Sequence, residues 1–568
     1  MHVIGTSGHV DHGKSSLVSI LTGIDPDRLN EEKSRGMTID LGFSWLKLSN
    51  GNEVSIVDVP GHQKFIDNMV AGIGCIDLAV LVVAADESVM PQTIEHISIL
   101  DLLQVKLGII VITKTDLADK NWLELVQGDI LDVTKGTFLE KAPIVQVSSH
   151  NLDGINLLKS IIEEELSKVE PITNLDRPRV FIDRSFSMSG FGAVVTGTLV
   201  DGDIKIGDVV NFVSSGLTAR IRGIQTHKKS LQIASPGTRV AINLSGISHN
   251  QINQRGEVLV VGDWLVSTIA VDVKLYALFN ISKPLKHNMF INFHSGTFEI
   301  IGKLRLLSAD SIMPGESSFA QIKFDKPVAL VRGDKFIIRS NQITLGGGQV
   351  LEVNVPRHKK NDLKVSDRLS ILESGSDNEI VSEFIQSNEP IKFDELKNLT
   401  GLSNINFILN ELIIDKKIIN IDGYHFTTSL WKYLVEKTND YLSLMHKKYP
   451  LRDGHSKESL RGLLNLTQDF FNSIIKLLAT SKVIIDQNGL ICSYGYKAII
   501  TEGQKNIIQD YIKFLEVDPY SPSSDFDINP ELLNKIINEN LVVKVSDKIV
   551  FSYSAYNFMI KEVTRFLR

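Results

Sequence analysis

The stretch "GHVDHGKSS", Gly8–Ser16, decides the fold of the first part of the chain. A short β-rich run, "HVIGTSG", leads into it, and "KSSLVSILTG" follows with apolar residues at helical spacing. Gly8 to Ser15 fits GxxxxGK[ST] between a strand and a helix, the arrangement that cradles a nucleotide phosphate. The reason is local. Gly8 and Gly13 let backbone N–H groups turn inward, and the helix start adds the positive end of its dipole. His9, Val10, Asp11, His12 and Ser16 complete the loop and first turn and are assigned to the same nucleotide. Lys14 supplies charge for the β- and γ-phosphates, and the Ser15 hydroxyl is suited to ligate Mg2+.

Further along, "VSIVDVPGHQKF" ends a strand at Asp58, which is suited to hold Mg2+ through water. Gly61 offers its N–H to a γ-phosphate, and His62 follows it as the candidate catalytic residue. Upstream, "KSRGMTIDLGF" supplies Thr38, a hydroxyl that completes a Mg2+ shell only while the γ-phosphate is present. Two loops that sense one phosphate make a switch. "IIVITKTD" ends a buried strand with Thr113, Lys114 and Asp116. An Asp there accepts from both N1–H and N2–H2 of guanine, which adenine does not offer, and the Lys114 stem lies over the base. The usual form is NKxD, with Asn where Thr113 stands, so this motif favours guanine without excluding adenine. Ser148, in "QVSSH", is the candidate for closing the base pocket.

The bulk numbers bound the rest. A chain of 568 residues exceeds one core, and ordinary domain sizes suggest roughly three to six units. A net charge of −7 gives no sign of a nucleic-acid partner in bulk, although a local basic patch would escape that count. The two cysteines, Cys75 and Cys492, lack any CxxC or Cys/His spacing, which argues against structural zinc and a disulfide framework. A reducing, cytoplasmic setting is expected. Runs such as "LAVLVVAA" are strand-length, short of a membrane span, and no signal peptide fits before the glycine loop.

From Pro178 short alternating runs with glycine turns, "VFIDRSFSMSGFGAVVTGTLVDGDIKIGDVV", predict a β-barrel, and a second run over about 266 to 355 predicts another. "VPRHKKNDLK" reads as a polar linker. Beyond it a helix–helix–helix–hairpin pattern repeats at about 65 residues, with turns at Asp422–Gly423 and Asn488–Gly489, which suggests winged helices. The expected architecture is multidomain: an α/β P-loop GTPase domain at 1–172, two β-barrels at 173–265 and 266–356, then tandem α+β winged helices at 366–430, 431–500 and 501–553. Residues 554–568, "AYNFMIKEVTRFLR" with the residue before it, read as the first helix of a truncated fourth.

GHVDHGKS, RGMTID, DVPGH and TKTD, in that order, resemble the GTPase domain of translation factors of the elongation factor Tu type. The resemblance implies that His62 positions the attacking water, that Val10 and Met37 form an apolar gate, and that hydrolysis waits for the ribosome. "SGFGAVVTGTLVDGDIKIGD" and "ASPGTRVAINLSGI" are similar to the second domain of those factors, where the aminoacyl end of tRNA sits. Two departures carry information. Arg184 stands where the ordinary factor has an acidic residue, and Arg239 where it has Asn. Both border the pocket for the esterified amino acid, so an anionic side chain is implied. Selenocysteine meets that need, because its selenol ionises at neutral pH. The alternative for either arginine is pairing with a local carboxylate such as Asp183. Asp58 and His62 are expected to border the same pocket.

With the winged-helix tail, the chain resembles the family of bacterial selenocysteine-specific elongation factors. That resemblance implies GTP/GDP and Mg2+ as cofactors. It implies selenocysteyl-tRNA, the ribosome and an mRNA selenocysteine insertion hairpin as partners, with no membrane, and a monomer. In that family the last winged helix is basic and reaches the hairpin; here acids slightly outnumber bases from 361 onward, and the chain stops at the fourth module's first helix. Either the sequence is truncated or it docks its mRNA differently. The alternatives are a general aminoacyl-tRNA carrier, a GTPase subunit of a sulfate-activating enzyme, and a winged-helix regulator.

Overall fold

The computed structural model describes residues 2–26, 32, 38–62, 65–73, 76–170, 174–188, 192–252, 256–487, 489–546 and 549–568. The chain divides into two units, one made of Met1–Phe384 with Asp394–Ile408, the other of Ile385–Phe393 with Leu409–Arg568.

The first unit opens with a six-stranded sheet in the order β2 (Gly42–Lys47), β3 (Glu53–Asp58), β1 (Val3–Ser7), β4 (Leu78–Ala84), β5 (Leu107–Thr113), β6 (Ile144–Gln146). Only β2 pairs antiparallel; the rest are parallel. Helices α1 (Lys14–Thr22), α2 (Ile66–Ile73), α3 (Pro91–Leu102), α4 (Lys120–Thr134) and α5 (Ile155–Ser167) connect and cover them. Every residue of β4, "LAVLVVA", is buried, because helices cover both faces of a parallel sheet and leave no side for water. The loops that matter lie at the carboxyl ends of β1, β3 and β5, where open α/β sheets bind ligands.

The strands that follow behave differently. Thr218–Thr226 and Arg239–Ser245 alternate buried with less buried residues, the signature of a sheet with one wet face. They belong to a seven-stranded sheet that closes on itself through the pairing of Val209–Phe212 with Thr218–Thr226. A second, six-stranded closed barrel runs from Thr268–Ala277 to Ile343–Val353, the last strand pairing back onto the first. Its centre is aromatic: Phe293 stacks on Phe336 at 4.9 Å and meets Phe324 edge-on at 5.0 Å.

Both barrels are fastened to the nucleotide domain. Glu53 on β3 receives His227 at 3.2 Å and Lys229 at 2.6 Å from the first barrel, and His227 stacks on Trp45. From the second barrel, Ile337 joins the core formed by Val3, Val57 and Met69, and the Thr344 hydroxyl donates to Glu95 on α3 at 2.9 Å. Arg332 extends the same body, donating to the carbonyls of Thr400 and Leu372 at 3.0 and 2.8 Å.

In the tail, helices Asp377–Asn388, Phe393–Thr400 and Ile405–Ile414 precede a hairpin of Ile418–Ile421 and Tyr424–Thr427, and the plan recurs from Thr428–Lys448 onward. In the second unit two wing sheets have three strands, because Ile391–Lys392 and His455–Ser456 add a short edge that sequence periodicity is too brief to reveal. The last hairpin, Val542–Ser546 with Ile549–Ser552, has two. The polar stretch read as a linker already contains a helix start: Leu363–Ser374 begins inside it, capped by Asp362, whose carboxylate accepts the Lys364 N–H. Asn488, at the second hairpin tip, lies outside the described residues, as does Cys75. Among the described residues no helix is long and apolar enough to cross a membrane.

Phe293 is fully buried among three other phenylalanines. Phe293→Ala is therefore expected to destabilise the second barrel by about 3–5 kcal/mol. Denaturant unfolding followed by near-UV circular dichroism checks this, and a loss below about 1 kcal/mol would mean the barrel core refills.

Candidate functional site

The glycine loop leaves β1 with Gly8 at φ 131°, and a Cβ there would lie 2.2 Å from the Val82 carbonyl oxygen. Only glycine permits that passage. Lys14, buried at the head of α1, donates from Nζ to the carbonyls of Gly8 and His9 at 3.1 and 2.6 Å. Gly61, just beyond β3, is packed against this loop so closely that a Cβ would sit 2.5 Å from Lys14 Nζ and 2.6 Å from the Val10 nitrogen. The loop that follows β3 thus begins against Lys14.

Three oxygens converge beside it. The Ser15 hydroxyl donates to Asp58 Oδ2 at 2.6 Å, and Thr38 Oγ1 lies 2.7 Å from Ser15 Oγ. With its one proton spent on Asp58, Ser15 accepts from Thr38. Asp58 is fully buried, its other oxygen taking the Thr6 hydroxyl at 2.6 Å. Two hydroxyls and a carboxylate, without nitrogen or sulfur, form a hard donor set that fits Mg2+ sharing its shell with water and phosphate. Both Asp58 oxygens are engaged in this buried cluster, while Arg184 and Arg239 bond to Asp40 and Asp183. His62 is half-buried next to Gly61, its ring 5.9 Å from that of Phe65. Met37 lies outside the described residues; Val10 donates its N–H to Gln92 Oε1 at 3.3 Å.

At the end of β5 the Thr113 hydroxyl donates to the His12 carbonyl of the glycine loop at 2.7 Å. This hydroxyl ties the end of β5 to the glycine loop. Lys114 has left-handed backbone, φ 54°, and pairs with Asp86 at 2.9 Å. The Ser148 hydroxyl donates to Asp116 at 2.6 Å, and this bond chiefly holds the Asp116 carboxyl below its ordinary range. Ser148 in turn accepts the N–H groups of His150 and Asn151. An ionised acceptor at the strand end is what guanine's two N–H edges require.

Arg184 and Arg239 come together around Phe43 of β2, their guanidinium carbons 5.4 and 3.5 Å from its ring centre. Register shifts between Ile182 and Arg184, a bulge that lets the consecutive Asp183 and Arg184 both bond at this edge. Arg239 Nη2 contacts both Asp183 oxygens, at 2.9 and 2.8 Å, so the anticipated local ion pair forms. Its Nε is nevertheless buried with no partner among the described residues. Arg184 bonds across the domain boundary, to Asp40. Farther along the Arg184 strand, Phe186 and Met188 line a cavity of about 570 Å³ with Arg222, Gln225 and Asn243.

Sequence reasoning missed Gln92 and His96, four residues apart on α3. His96 is fully buried and its Nδ1 accepts the Gly8 N–H at 3.0 Å. Burial pushes its pKa down to about 3, and that of buried His12 down to about 4. The i, i+4 spacing in "PQTIEH" was the available signal, but the sequence does not say that this face meets the loop.

Comparison with known proteins gives four family matches. They are "Elongation factor Tu GTP binding domain" over residues 1–168, "Elongation factor Tu domain 2" over 192–260, "Selenocysteine-specific elongation factor, beta-barrel domain" over 272–357, and "Elongation factor SelB, winged helix" over 440–491. The chain is 32% identical to a selenocysteine-specific elongation factor of Desulfomicrobium baculatum, across 99% of this chain and 92% of that protein. A counterpart from Haemophilus influenzae is 33% identical, across 82% and 74%. Among solved structures, a bacterial selenocysteine-specific elongation factor aligns over 100% of this chain and 92% of its own, at 26% identity and a TM-score of 0.78. The elongation factor SelB of Methanococcus maripaludis, crystallised with the GTP analogue GppNHp, aligns over 63% and 80%, at 26% identity and a TM-score of 0.56.

The buried histidines set a pH dependence. Both have folded pKa values below the ordinary 6.5, so as pH falls the unfolded chain takes up protons first. Their contribution is complete above about 6.5 and declines as pH drops toward about 4 for His12 and about 3 for His96, by roughly 2 kcal/mol per histidine at about pH 5. His96→Asn, which keeps a neutral acceptor for Gly8, is expected to lose less stability than the parent on thermal melting between neutral pH and about pH 5. Identical pH profiles would show that His96 is not held neutral.

Proposed function

The chain belongs to the selenocysteine-specific elongation factors, and from that premise we propose that it is a GTPase that carries selenocysteyl-tRNA to recoded UGA codons on the ribosome. An mRNA hairpin and the tail assist, and the work is done as a monomer in the cytoplasm. The observation that supports the cargo reading is the gathering of the Arg239 and Arg184 guanidiniums around Phe43 at one edge of the first barrel. A selenolate arriving at this edge would accept from their N–H groups, whereas a neutral seryl hydroxyl gains far less from a guanidinium. The large lined cavity on the same barrel suits the rest of an aminoacyl end.

The geometry above supports the nucleotide half of this reading. Lys14 and the loop N–H groups hold the phosphates, Asp116 with Ser148 reads guanine, and Ser15 and Thr38, with Asp58 through water, would hold Mg2+. Bound there, Mg2+ would neutralise charge on the β- and γ-phosphate oxygens. Gly61 brings the second switch loop against Lys14, which sets His62 to orient the water that attacks the γ-phosphate. Loss of that phosphate would remove one of the groups that hold Thr38 beside Ser15, which loosens the segment that follows it.

The test is protection of the aminoacyl ester. The protein loaded with GTP is expected to shield selenocysteyl-tRNA and to leave the seryl form of the same tRNA exposed, with neither shielded in GDP. Arg239→Asn should reduce this discrimination about tenfold or more while GTP affinity is kept. Equal protection of both esters by the parent would assign specificity to the tRNA body and make the arginines structural.

A further inference from the structure

The Arg184 guanidinium takes its acceptors from the nucleotide domain rather than from its own barrel. Its Nη2 donates to Asp40 Oδ2 at 2.6 Å and to the Leu41 carbonyl at 2.8 Å. Asp40 lies two residues after Thr38, the hydroxyl joined to Ser15. The backbone between them is clamped: Glu32 Oε1 accepts the N–H groups of Ile39 and Asp40 at 3.1 and 3.0 Å, and Asn68 on α2 donates to the Ile39 carbonyl at 2.8 Å. One four-residue segment therefore touches the cation cluster at one end and the cargo-side arginine at the other.

We infer that Asp40 is a positioning residue that reports the nucleotide state to the amino-acid pocket through Arg184. This rests on the reading of Arg184 as a cargo contact. When Thr38 is engaged, Asp40 and the Leu41 carbonyl fix one edge of the guanidinium, which leaves its other N–H groups turned to an incoming anion. When Thr38 leaves, Asp40 shifts with it while Leu41 stays packed in the core with Val3 and Val57, and Arg184 loses the carboxylate that orients it. The side chains of Arg184 and Asp40 are 25% and 32% exposed, so the pair is partly buried and partly screened by solvent. Charge supports the same reading: Asp183 already serves Arg239, so the acid that serves Arg184 is the one the switch segment controls.

The test uses the full chain with Asp40→Ala and Asp40→Asn. Affinity for selenocysteyl-tRNA is measured in GTP and in GDP, and release of GTP and GDP is measured with and without the tRNA. In Asp40→Ala the GTP-to-GDP ratio of tRNA affinities is expected to fall about tenfold, with nucleotide affinity of the free protein unchanged. Linkage requires the tRNA's preferential retention of GTP to fall by the same factor. Asp40→Asn, which keeps an acceptor oxygen, should lie between. A ratio equal to the parent's, or equal weakening in both nucleotide states, overturns the inference. Arg184→Ala separates the two levels. If it leaves discrimination between selenocysteyl and seryl forms intact, the cargo reading falls and the relay with it; if discrimination is lost while Asp40→Ala keeps the parent ratio, only the relay falls.

Discussion

Asp58 is a carboxylate with no exposure to water, and its two oxygens are satisfied by two hydroxyls, those of Thr6 and Ser15. Burying such a charge without partners would cost several kcal/mol. The end of β3, the end of β1 and the start of α1 are therefore held together by one group. Thr38 joins through Ser15, and with it the segment that continues to β2. Gly61 then lies against Lys14 because the chain leaves β3 at Asp58. Phosphate loop and both switch loops share this anchor, so a change at this hydroxyl–carboxylate cluster is the event that the remaining structure can register.

What registers it is the edge of the nucleotide domain that faces the first barrel. β2 supplies Phe43, over which both arginines lie, and β2 begins directly after Asp40 and Leu41. The same edge is pinned at its far end by Glu53, Trp45 and the His227–Lys229 turn. A strand held at one end and answering to Thr38 at the other is suited to pass on a small change at the Ser15–Asp58 cluster. The second barrel, fixed through Ile337 and Thr344, provides a frame against which that change can occur.

Most of this architecture is legible because its signals are local. A glycine loop between a strand and a helix, buried runs such as β4, alternating barrel strands and the Asp422–Gly423 turn each declare themselves within about ten residues. The site was legible where chemistry is carried by a motif: Ser15, Thr38, Asp58, Asp116 and Ser148 are brought into the pairings described. What escaped depends on distance along the chain. His96 meets Gly8 across 88 residues, and Arg184 meets Asp40 across 144. Nothing in either stretch announces its partner, since a buried histidine and a half-buried aspartate fit many settings. The short edge strands and the helix start at Leu363 escaped for the opposite reason, being too brief or too polar for periodicity to register.

The central claim is that the hydroxyl of Thr38 converts the nucleotide state into cargo affinity. It is tested most directly by measuring the affinity of Thr38→Ala for selenocysteyl-tRNA in saturating GTP and in saturating GDP. The account predicts that the two affinities converge on the weaker, GDP-like value even with GTP bound. A variant that keeps the parent's full difference between the two states would contradict it, because the signal would then reach the pocket without Thr38.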